Sequence, residues 1–274
     1  MNKENIEDIE LHHFLEAVNE RYGYDFRDYA LSSLKRRIAK CVQDTKSESI
    51  SGLQAKVLHN PGSMEQFILT MSIDVTGMFR DAGFYSTVRK RVVPQLRTLP
   101  SIRIWSAGCS TGEEVYSLAI LLKEEGLADR CLIYATDFND FVLQKAKNGI
   151  FSLRAMQEHT ASYQQSGGTC LFSDYYTAKY DNAILHSSLK KNIVWAQHNL
   201  VTDASFNEFN LILCRNVMIY FNQPLTARVH DLLYDSLASG GLLGLGSKES
   251  LKFTPHEADY EVFDPKEKLF QKKQ

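Results

Sequence analysis

The segment IRIWSAGCSTGEE, residues 102–114, gives the strongest indication of how this chain folds. A short apolar run ends at a glycine-containing turn and a helical pattern follows, so the stretch predicts a strand, a tight turn and a helix. Gly108 and Gly112 would let a ligand approach the backbone closely. The dinucleotide fingerprint GxGxxG needs a third glycine, and Glu113 and Glu114 would repel a pyrophosphate at the helix N-terminus. We therefore expect a nucleotide-type site that is not a dinucleotide site.

Carboxylates at the start of this helix suit a cationic cofactor without phosphate. S-adenosylmethionine is such a cofactor, since it carries a sulfonium and an ammonium group. An alternative is an ordinary helix start, in which Ser110 or Thr111 caps the helix and the two glutamates favour its dipole. We favour cofactor binding because the next motif agrees with it.

That motif is an acidic residue at the end of the second predicted strand. Leu132–Thr136 reads as a strand, and Asp137 follows it, twenty-five residues after Gly112. In open α/β sheets an acidic side chain at this place accepts hydrogen bonds from ribose hydroxyls. Asp137 could instead cap a helix that begins near Asp140. The residues alone leave both interpretations open.

Two later predicted strands also end in polar residues. Ile193–Ala196 leads into Gln197-His198-Asn199-Leu200, where an amide and an apolar side chain could flank an adenine ring. Leu211–Leu213 leads into CRNVMIYF, residues 214–221. The carboxyl ends of parallel strands are where such sheets bind their ligands. We therefore expect the cofactor at this edge of the sheet.

Beyond Pro100 predicted strands alternate with predicted helices, which indicates an α/β domain with a mostly parallel, Rossmann-like sheet over residues 73–274. The predicted elements are strands at 102–106, 131–136, 193–196, 211–213 and 242–245, and helices at 115–123, 140–147 and 226–237. The stretch from about residue 152 to 190 breaks this rhythm and reads as an inserted antiparallel β lobe. Its predicted strands are Cys170–Phe172 and Ala183–Leu185.

Residues 1–72 read as a small all-helical domain, followed by a linker from Ser72 to Arg80. One helical stripe consists of Leu11, Phe14, Leu15 and Val18, and a second of Leu31, Leu34, Ile38 and Val42. The basic residues of the second helix are expected to point outward: Lys35, Arg36, Arg37 and Lys40. They form either a solvated helix face or a cationic dock for an acidic partner helix.

Composition excludes several classes of protein. The 274 residues are 44% hydrophobic and 23% charged, with a formal net charge of -2. Neither the overall composition nor the net charge predicts nucleic-acid binding. The sequence has neither a signal peptide nor a long apolar span, so we expect a cytoplasmic protein without membrane insertion. We also expect it to be monomeric. Five scattered cysteines indicate reduced thiols. The histidines never take a ligand spacing, so we expect no metal.

The chain resembles the CheR family of chemoreceptor glutamate methyltransferases in several ordered segments. They are VTGMFRD (75–81), WSAGCSTGEE (105–114), Ala135-Thr136-Asp137, Asn199-Leu200, CRNVMIYF (214–221) and the stretch from Gly240 to Ser250. The resemblance covers nearly the whole chain. It implies transfer of a methyl group from S-adenosylmethionine to receptor glutamates, with S-adenosylhomocysteine as product, and a partner that is the cytoplasmic helical region of a methyl-accepting receptor.

The resemblance also assigns roles to individual residues. It places Arg80 and Tyr220 beside the sulfonium methyl and the incoming carboxylate. Glu114 would hold the cofactor's amino group and Asp137 its ribose. The other implied cofactor contacts are Asp74, Thr76, Arg80, Gly108, Asn199, Leu200, Arg215 and Asn216.

The chain departs from the family in two places. Asp74 stands where the family often has Asn, and Gly77 and Met78 replace more typical residues before Phe79. Residues 175–191 lack the glycine loop with which some relatives dock a receptor's terminal pentapeptide, so the chain resembles the pentapeptide-independent kind. Alternatives are a CheR-like enzyme of a non-flagellar pathway such as surface sensing, a non-catalytic cofactor-binding docking module and, more distantly, a nicotinamide oxidoreductase.

Overall fold

The structure of the protein is a computed structural model that describes residues 5–72 and 76–274. Its contacts divide the chain into two compact units. The first comprises Met1–Ile73 together with Ile219–Val229, and the second comprises Asp74–Met218 and His230–Gln274. A short segment late in the chain therefore packs with the N-terminal residues.

The first unit is helical. Its helices are α1 (Ile6–Tyr22), α2 (Leu31–Asp44), α3 (Ile50–His59) and α4 (Pro61–Met71). Phe14, Val18 and Phe67 are fully buried and form its core, and the ring of Phe14 meets that of Phe67 edge-on at 5.0 Å. α4 begins at Pro61, because the Asn60 side chain accepts a hydrogen bond from the N–H of Gly62 and proline follows the cap.

The buried stripe of α2 differs from the predicted one. Leu34, Arg37, Ile38 and Cys41 are its buried residues, whereas Leu31 is 57% exposed. Positions 34, 37, 38 and 41 follow the i, i+3, i+4, i+7 spacing of one helix face, so Arg37 lies on the apolar stripe. The prediction that Arg37 points outward is wrong. Lys35, Arg36 and Lys40 are exposed as expected.

The second unit is built on a seven-stranded sheet of order β6-β2-β1-β7-β8-β10-β9. The strands are β1 (Ile102–Ala107), β2 (Cys131–Asp137), β6 (Ile193–Gln197), β7 (Phe209–Cys214), β8 (Leu237–Leu245), β9 (Tyr260–Asp264) and β10 (Leu269–Lys272). β6, β2, β1, β7 and β8 pair in parallel, while β10 is antiparallel to both neighbours. The predicted α/β domain with a mostly parallel, Rossmann-like sheet is confirmed, and the last two strands were not foreseen.

Helices of the second unit connect and cover these strands. They are α5 (Ala82–Thr87), α6 (Val93–Leu96), α7 (Glu113–Glu124), α8 (Asp140–Asn148), α9 (Leu153–Gln165) and α10 (Gln223–Asp235), of which α10 begins in the first unit. A π-helical turn at Val88–Val92 joins α5 to α6. No helix among residues 5–72 and 76–274 is both long and apolar enough to cross a membrane.

The insertion contains a three-stranded antiparallel sheet of order β3-β5-β4. Its strands are β3 (Ile150–Ser152), β4 (Tyr176–Lys179) and β5 (Asn182–Leu185). The expected antiparallel lobe is present, but the strand predicted at Cys170–Phe172 is wrong, since a 3₁₀ turn covers Phe172–Tyr175. The hydroxyls of Tyr163 and Tyr175 donate to the Glu124 carboxylate and tie the insertion to α7.

A buried histidine in the second unit predicts acid sensitivity. His230 is 1% exposed, and its ring nitrogens have no hydrogen-bond partner within the described part of the chain. Burial, with a smaller contribution from His256, lowers the pKa of His230 to about 4. Between about pH 6.5 and pH 4 this histidine is therefore protonated in the unfolded chain but neutral in the folded chain. The free energy of unfolding falls as the pH drops through this range.

We expect acidification from pH 7.5 to 5 to lower the free energy of unfolding of the wild type by about 2 kcal/mol more than that of a His230→Leu variant. Urea unfolding of both proteins at the two pH values measures this difference. His59→Leu, at an exposed histidine, should keep the wild-type pH dependence. Equal losses in wild type and His230→Leu would show that this imidazole does not set the acid response.

Candidate cofactor and active site

The turn after β1 (residues 108–112, the cofactor turn) has backbone angles that favour glycine. φ is 75° at Gly108, 48° at Ser110 and 92° at Gly112. A Cβ at Gly108 would lie 2.6 Å from Cγ2 of Val217, so no larger residue fits there without displacing the segment after β7. The turn is therefore compact, and glycine at 108 and 112 leaves room for the side chains of Val217 and Ala146.

The start of α7 contradicts the capping alternative. Gly112 is the N-cap residue, so the N-cap position offers no side chain to cap the helix. The Thr111 hydroxyl donates instead to the Glu113 carboxylate over 2.6 Å. Neither Ser110 nor Thr111 therefore occupies the N-cap position that the alternative required.

Asp137 lies at the end of β2 beside this turn. One of its carboxylate oxygens accepts the Ser110 N–H and the other the Asn139 N–H, both at 3.0 Å. Asn139, whose side chain accepts from the Phe141 N–H, is the N-cap of α8. The alternative role of Asp137 as the cap of that helix is therefore wrong, and its carboxylate is held against the cofactor turn.

Glu114 projects from the first turn of α7 into a polar cluster. Its carboxylate accepts the Ser106 hydroxyl at 2.8 Å and faces the Arg215 guanidinium at 3.5 Å. Burial raises the pKa of the Glu114 carboxyl, and Arg215 opposes that rise. A second cation beside Glu114 would favour its ionised form further. The carboxylate is thus suited to hold an ammonium group.

Arg215 follows β7 and is almost completely buried, with 3% of its side chain exposed. Its guanidinium donates to the Asp81 carboxylate at 2.6 Å and lies 4.1 Å over the ring of Phe84. Arg215 therefore joins the β7 end to the start of α5. Asp81 had no predicted role in the site.

Asn199 and Leu200 occupy the turn after β6, as predicted. The side-chain oxygen of Asn199 accepts the Val201 N–H at 3.0 Å, and Leu200 is 7% exposed. His198 packs edge-on against Trp105 with ring centres 5.3 Å apart. An amide and an apolar side chain thus follow each other at the carboxyl end of the sheet.

The segment before α5 carries Arg80 between two strained residues. φ is 54° at Phe79 and 59° at Asp81, although neither is glycine, and such conformations persist only where neighbours enforce them. The Phe79 N–H donates to Ser117 at 2.8 Å, and its ring is fully buried. Arg80 is exposed on this fixed turn. Asp74 lies outside the described residues.

Thr76 lines a cleft of about 380 Å³ in the second unit. Thr111 and Glu113 from the cofactor turn and His159 from α9 line it as well. Cavities of this size are typical of small-molecule sites. The cleft brings the predicted linker contact Thr76 next to the start of α7.

Tyr220, the second predicted catalytic residue, belongs to the first unit. The Arg37 guanidinium lies 4.7 Å over its ring and donates to the Met71 carbonyl. The Tyr220 carbonyl accepts the Ala30 N–H at 2.8 Å. Arg37 therefore holds Tyr220 and the end of α4 within this unit.

Three features together fit a cationic adenosine cofactor. The cofactor turn contains Gly108 and Gly112. Asp137 lies at the end of β2, the position at which open α/β sheets bind ribose hydroxyls. Glu114 offers a carboxylate that suits an ammonium group. No group of metal-ligating side chains occurs among residues 5–72 and 76–274. The residues of the chain thus suit S-adenosylmethionine better than a dinucleotide.

Comparison with known sequences agrees with this class of site. The profile of the CheR methyltransferase SAM-binding domain matches residues 74–266, and that of the CheR all-alpha domain matches residues 9–72. The chain belongs to the CheR methyltransferase family. It is accordingly an S-adenosylmethionine-dependent methyltransferase in its fold and cofactor-binding domain.

Individual relatives span nearly all of the chain. A Pseudomonas putida protein that carries the provisional name methyltransferase Cher3 is 47% identical over 272 residues, 99% of this chain and 100% of its own length. The chemotaxis protein methyltransferase of Listeria innocua is 30% identical over 90% of this chain and 91% of its own. Chemotaxis protein methyltransferase 1 of Pseudomonas aeruginosa is 27% identical, with 84% of both chains covered.

Proposed function

We propose that the protein transfers a methyl group from S-adenosylmethionine to glutamate side chains of a methyl-accepting chemoreceptor. The proposal is carried by the juxtaposition of Glu114, Arg215 and Asp137 around the glycine turn after β1, in a chain of the CheR family. The products would be a glutamate methyl ester and S-adenosylhomocysteine.

The proposed methyl transfer requires no proton transfer by the protein. When bound, S-adenosylmethionine supplies a methyl group on a sulfonium, and a glutamate of ordinary pKa, about 4.3, is already ionised at neutral pH. No general base is needed. The side chains therefore act by binding, by orienting the two reactants and by excluding water.

Each proposed role follows from the local chemistry. Glu114 accepts hydrogen bonds from the cofactor's ammonium, and Asp137 accepts them from the ribose. Arg80, exposed on its rigid turn, orients the receptor carboxylate by a charge-assisted hydrogen bond. Tyr220 lines the path of the methyl group, and Asn199 and Leu200 flank the adenine.

Transfer of labelled methyl groups tests this function. Protein incubated with methyl-tritiated S-adenosylmethionine and cytoplasmic fragments of flagellar and surface-sensing receptors should label at least one of them. Glutamate methyl esters release the label as volatile methanol in alkali, and receptor variants with glutamine at the labelled glutamates should stay unlabelled. Alkali-stable label, or no label on any fragment, would contradict the proposal.

The receptor is proposed to dock on the exposed basic face of α2. Arg36 and Lys40 are four residues apart and exposed, so they share one face of the helix. Lys35 is already paired with Asp8, and Arg37 is buried. Arg36 and Lys40 are therefore the basic residues best placed to meet an acidic receptor helix.

We expect an Arg36→Glu/Lys40→Glu double variant to methylate receptor about 10-fold more slowly at subsaturating receptor, because like charges would then oppose the acidic helix. Initial rates against receptor concentration measure the effect, which should appear in KM. Arg21→Glu/Lys46→Glu makes the same charge change at exposed positions of the same unit and serves as control. Equal rates for the two double variants would remove α2 as the dock.

A further inference from the structure

Glu249 is a buried carboxylate whose hydrogen bonds all go to backbone N–H groups. One oxygen accepts from Val217 at 2.9 Å and from Met218 at 2.8 Å. The other accepts from Asn216 at 2.9 Å and from Gly246 at 2.6 Å. The residue is 6% exposed. Four donors thus converge on a single carboxylate.

This arrangement determines the shape of the segment that follows β7. Asn216 has φ of 61°, and a residue in this left-handed conformation turns successive N–H groups toward one point, forming a concave anion-binding nest. Asn216 and Val217 belong to no helix or strand. The Glu249 carboxylate therefore supplies the acceptors that regular secondary structure would otherwise provide.

The same segment borders the proposed cofactor site. It begins at Arg215, which pairs with Glu114, and it continues to Val217, whose methyl group would clash with any Cβ at Gly108. A Cβ at Gly246 would lie 2.7 Å from the Asn216 nitrogen and equally close to the Glu249 carboxylate. The nest is therefore packed tightly between the cofactor turn and the end of β8.

We propose that Glu249 is a positioning residue for cofactor binding. Its carboxylate fixes the backbone of residues 216–218, and this backbone sets the placement of the Arg215 and Asn216 side chains and of the Val217 contact with the cofactor turn. An ionised carboxylate only accepts hydrogen bonds, so it matches four donors, whereas an amide brings an N–H₂ group of its own against two of them. The inference rests on the proposed function.

Glu249→Gln should therefore weaken S-adenosylhomocysteine binding roughly 30-fold, the scale of losing hydrogen bonds to a charged group. Isothermal titration calorimetry separates two effects, because the stoichiometry counts folded protein and the dissociation constant reports the geometry of the site. Glu257→Gln is the matched control, since the Glu257 carboxylate also accepts a backbone N–H, that of Phe253 at 2.8 Å, but lies on the surface. It should bind like the wild type.

Rescue of the Glu249→Ala variant by formate is a second readout, which would not be expected if Glu249 only stabilised the fold. Formate should enter the vacated nest and restore most of the lost affinity, whereas chloride at the same ionic strength should not. A raised dissociation constant in both variants, with rescue by formate, supports the proposal. Unchanged dissociation constants at reduced stoichiometry, or weakened binding that formate leaves unchanged, would overturn it.

This test does not depend on the receptor. Its readout is cofactor-product affinity, so a wild type that binds S-adenosylhomocysteine but labels no receptor would refute the proposed function and leave the positioning role measurable.

Discussion

Arg80→Ala is expected to lower methyl transfer about 100-fold, the scale of losing an electrostatic contact at a reacting centre. Arg80 is exposed, and it stands on a turn that is held by the buried Phe79 ring and by the Phe79 N–H bond to Ser117. The Arg80 guanidinium therefore extends from a turn whose backbone is fixed. It is suited to orient an incoming carboxylate, because a planar donor fork matches the two carboxylate oxygens.

Single-turnover rates with saturating receptor measure the effect of this substitution. Arg80 also contributes to the predicted cofactor contacts, so both cofactor affinity and the rate should fall. Arg154→Ala removes an exposed arginine from α9 and should leave both unchanged. A wild-type rate in Arg80→Ala would remove this residue from the mechanism.

Asp137→Ala is expected to weaken S-adenosylhomocysteine binding about 100-fold, corresponding to about 3 kcal/mol. The carboxylate would lose its bonds to the ribose hydroxyls, and it also holds the Ser110 and Asn139 N–H groups at 3.0 Å. Removing it therefore loosens the cofactor turn as well as deleting a ligand contact. Both effects act in the same direction.

Equilibrium binding of the variant and a thermal melt would be measured together. Asp140→Ala, three residues further along at an exposed position of α8, is the matched control and should bind normally. Near-normal affinity in Asp137→Ala would place the ribose elsewhere in the site.

Local patterns predicted the central part of the fold well. The strand expected at 102–106 is β1 (Ile102–Ala107), and the helix expected at 115–123 is α7 (Glu113–Glu124). Both depend on an apolar run, a glycine turn and helical periodicity within one short stretch. Such signals are contained in neighbouring residues, so the sequence alone displays them.

Other features depend on residues far apart in the chain. Arg215 meets Asp81, 134 residues away, and Glu249 binds the N–H groups of residues about 30 positions earlier. The residues next to Arg215 and Glu249 in the sequence give no indication of these contacts. The short C-terminal strands β9 and β10 were missed for a similar reason, since a strand's partner decides whether it forms.

Arg37 is a different case, because a local signal was present. Its spacing from Leu34, Ile38 and Cys41 places it on the buried face of α2, but its charge suggested exposure. The structure explains this burial by the stacking on Tyr220 and the bond to the Met71 carbonyl. The position of Arg37 around the helix therefore predicted its burial better than its charge did.

The cofactor turn, Glu114 and Asp137 are proposed to form the pocket for S-adenosylmethionine. Calorimetric titration of the purified protein with S-adenosylhomocysteine, beside an identical titration with NAD, tests this proposal most directly. We expect stoichiometric binding of S-adenosylhomocysteine and no heat of binding with NAD. Binding of NAD, or of neither ligand, would contradict it.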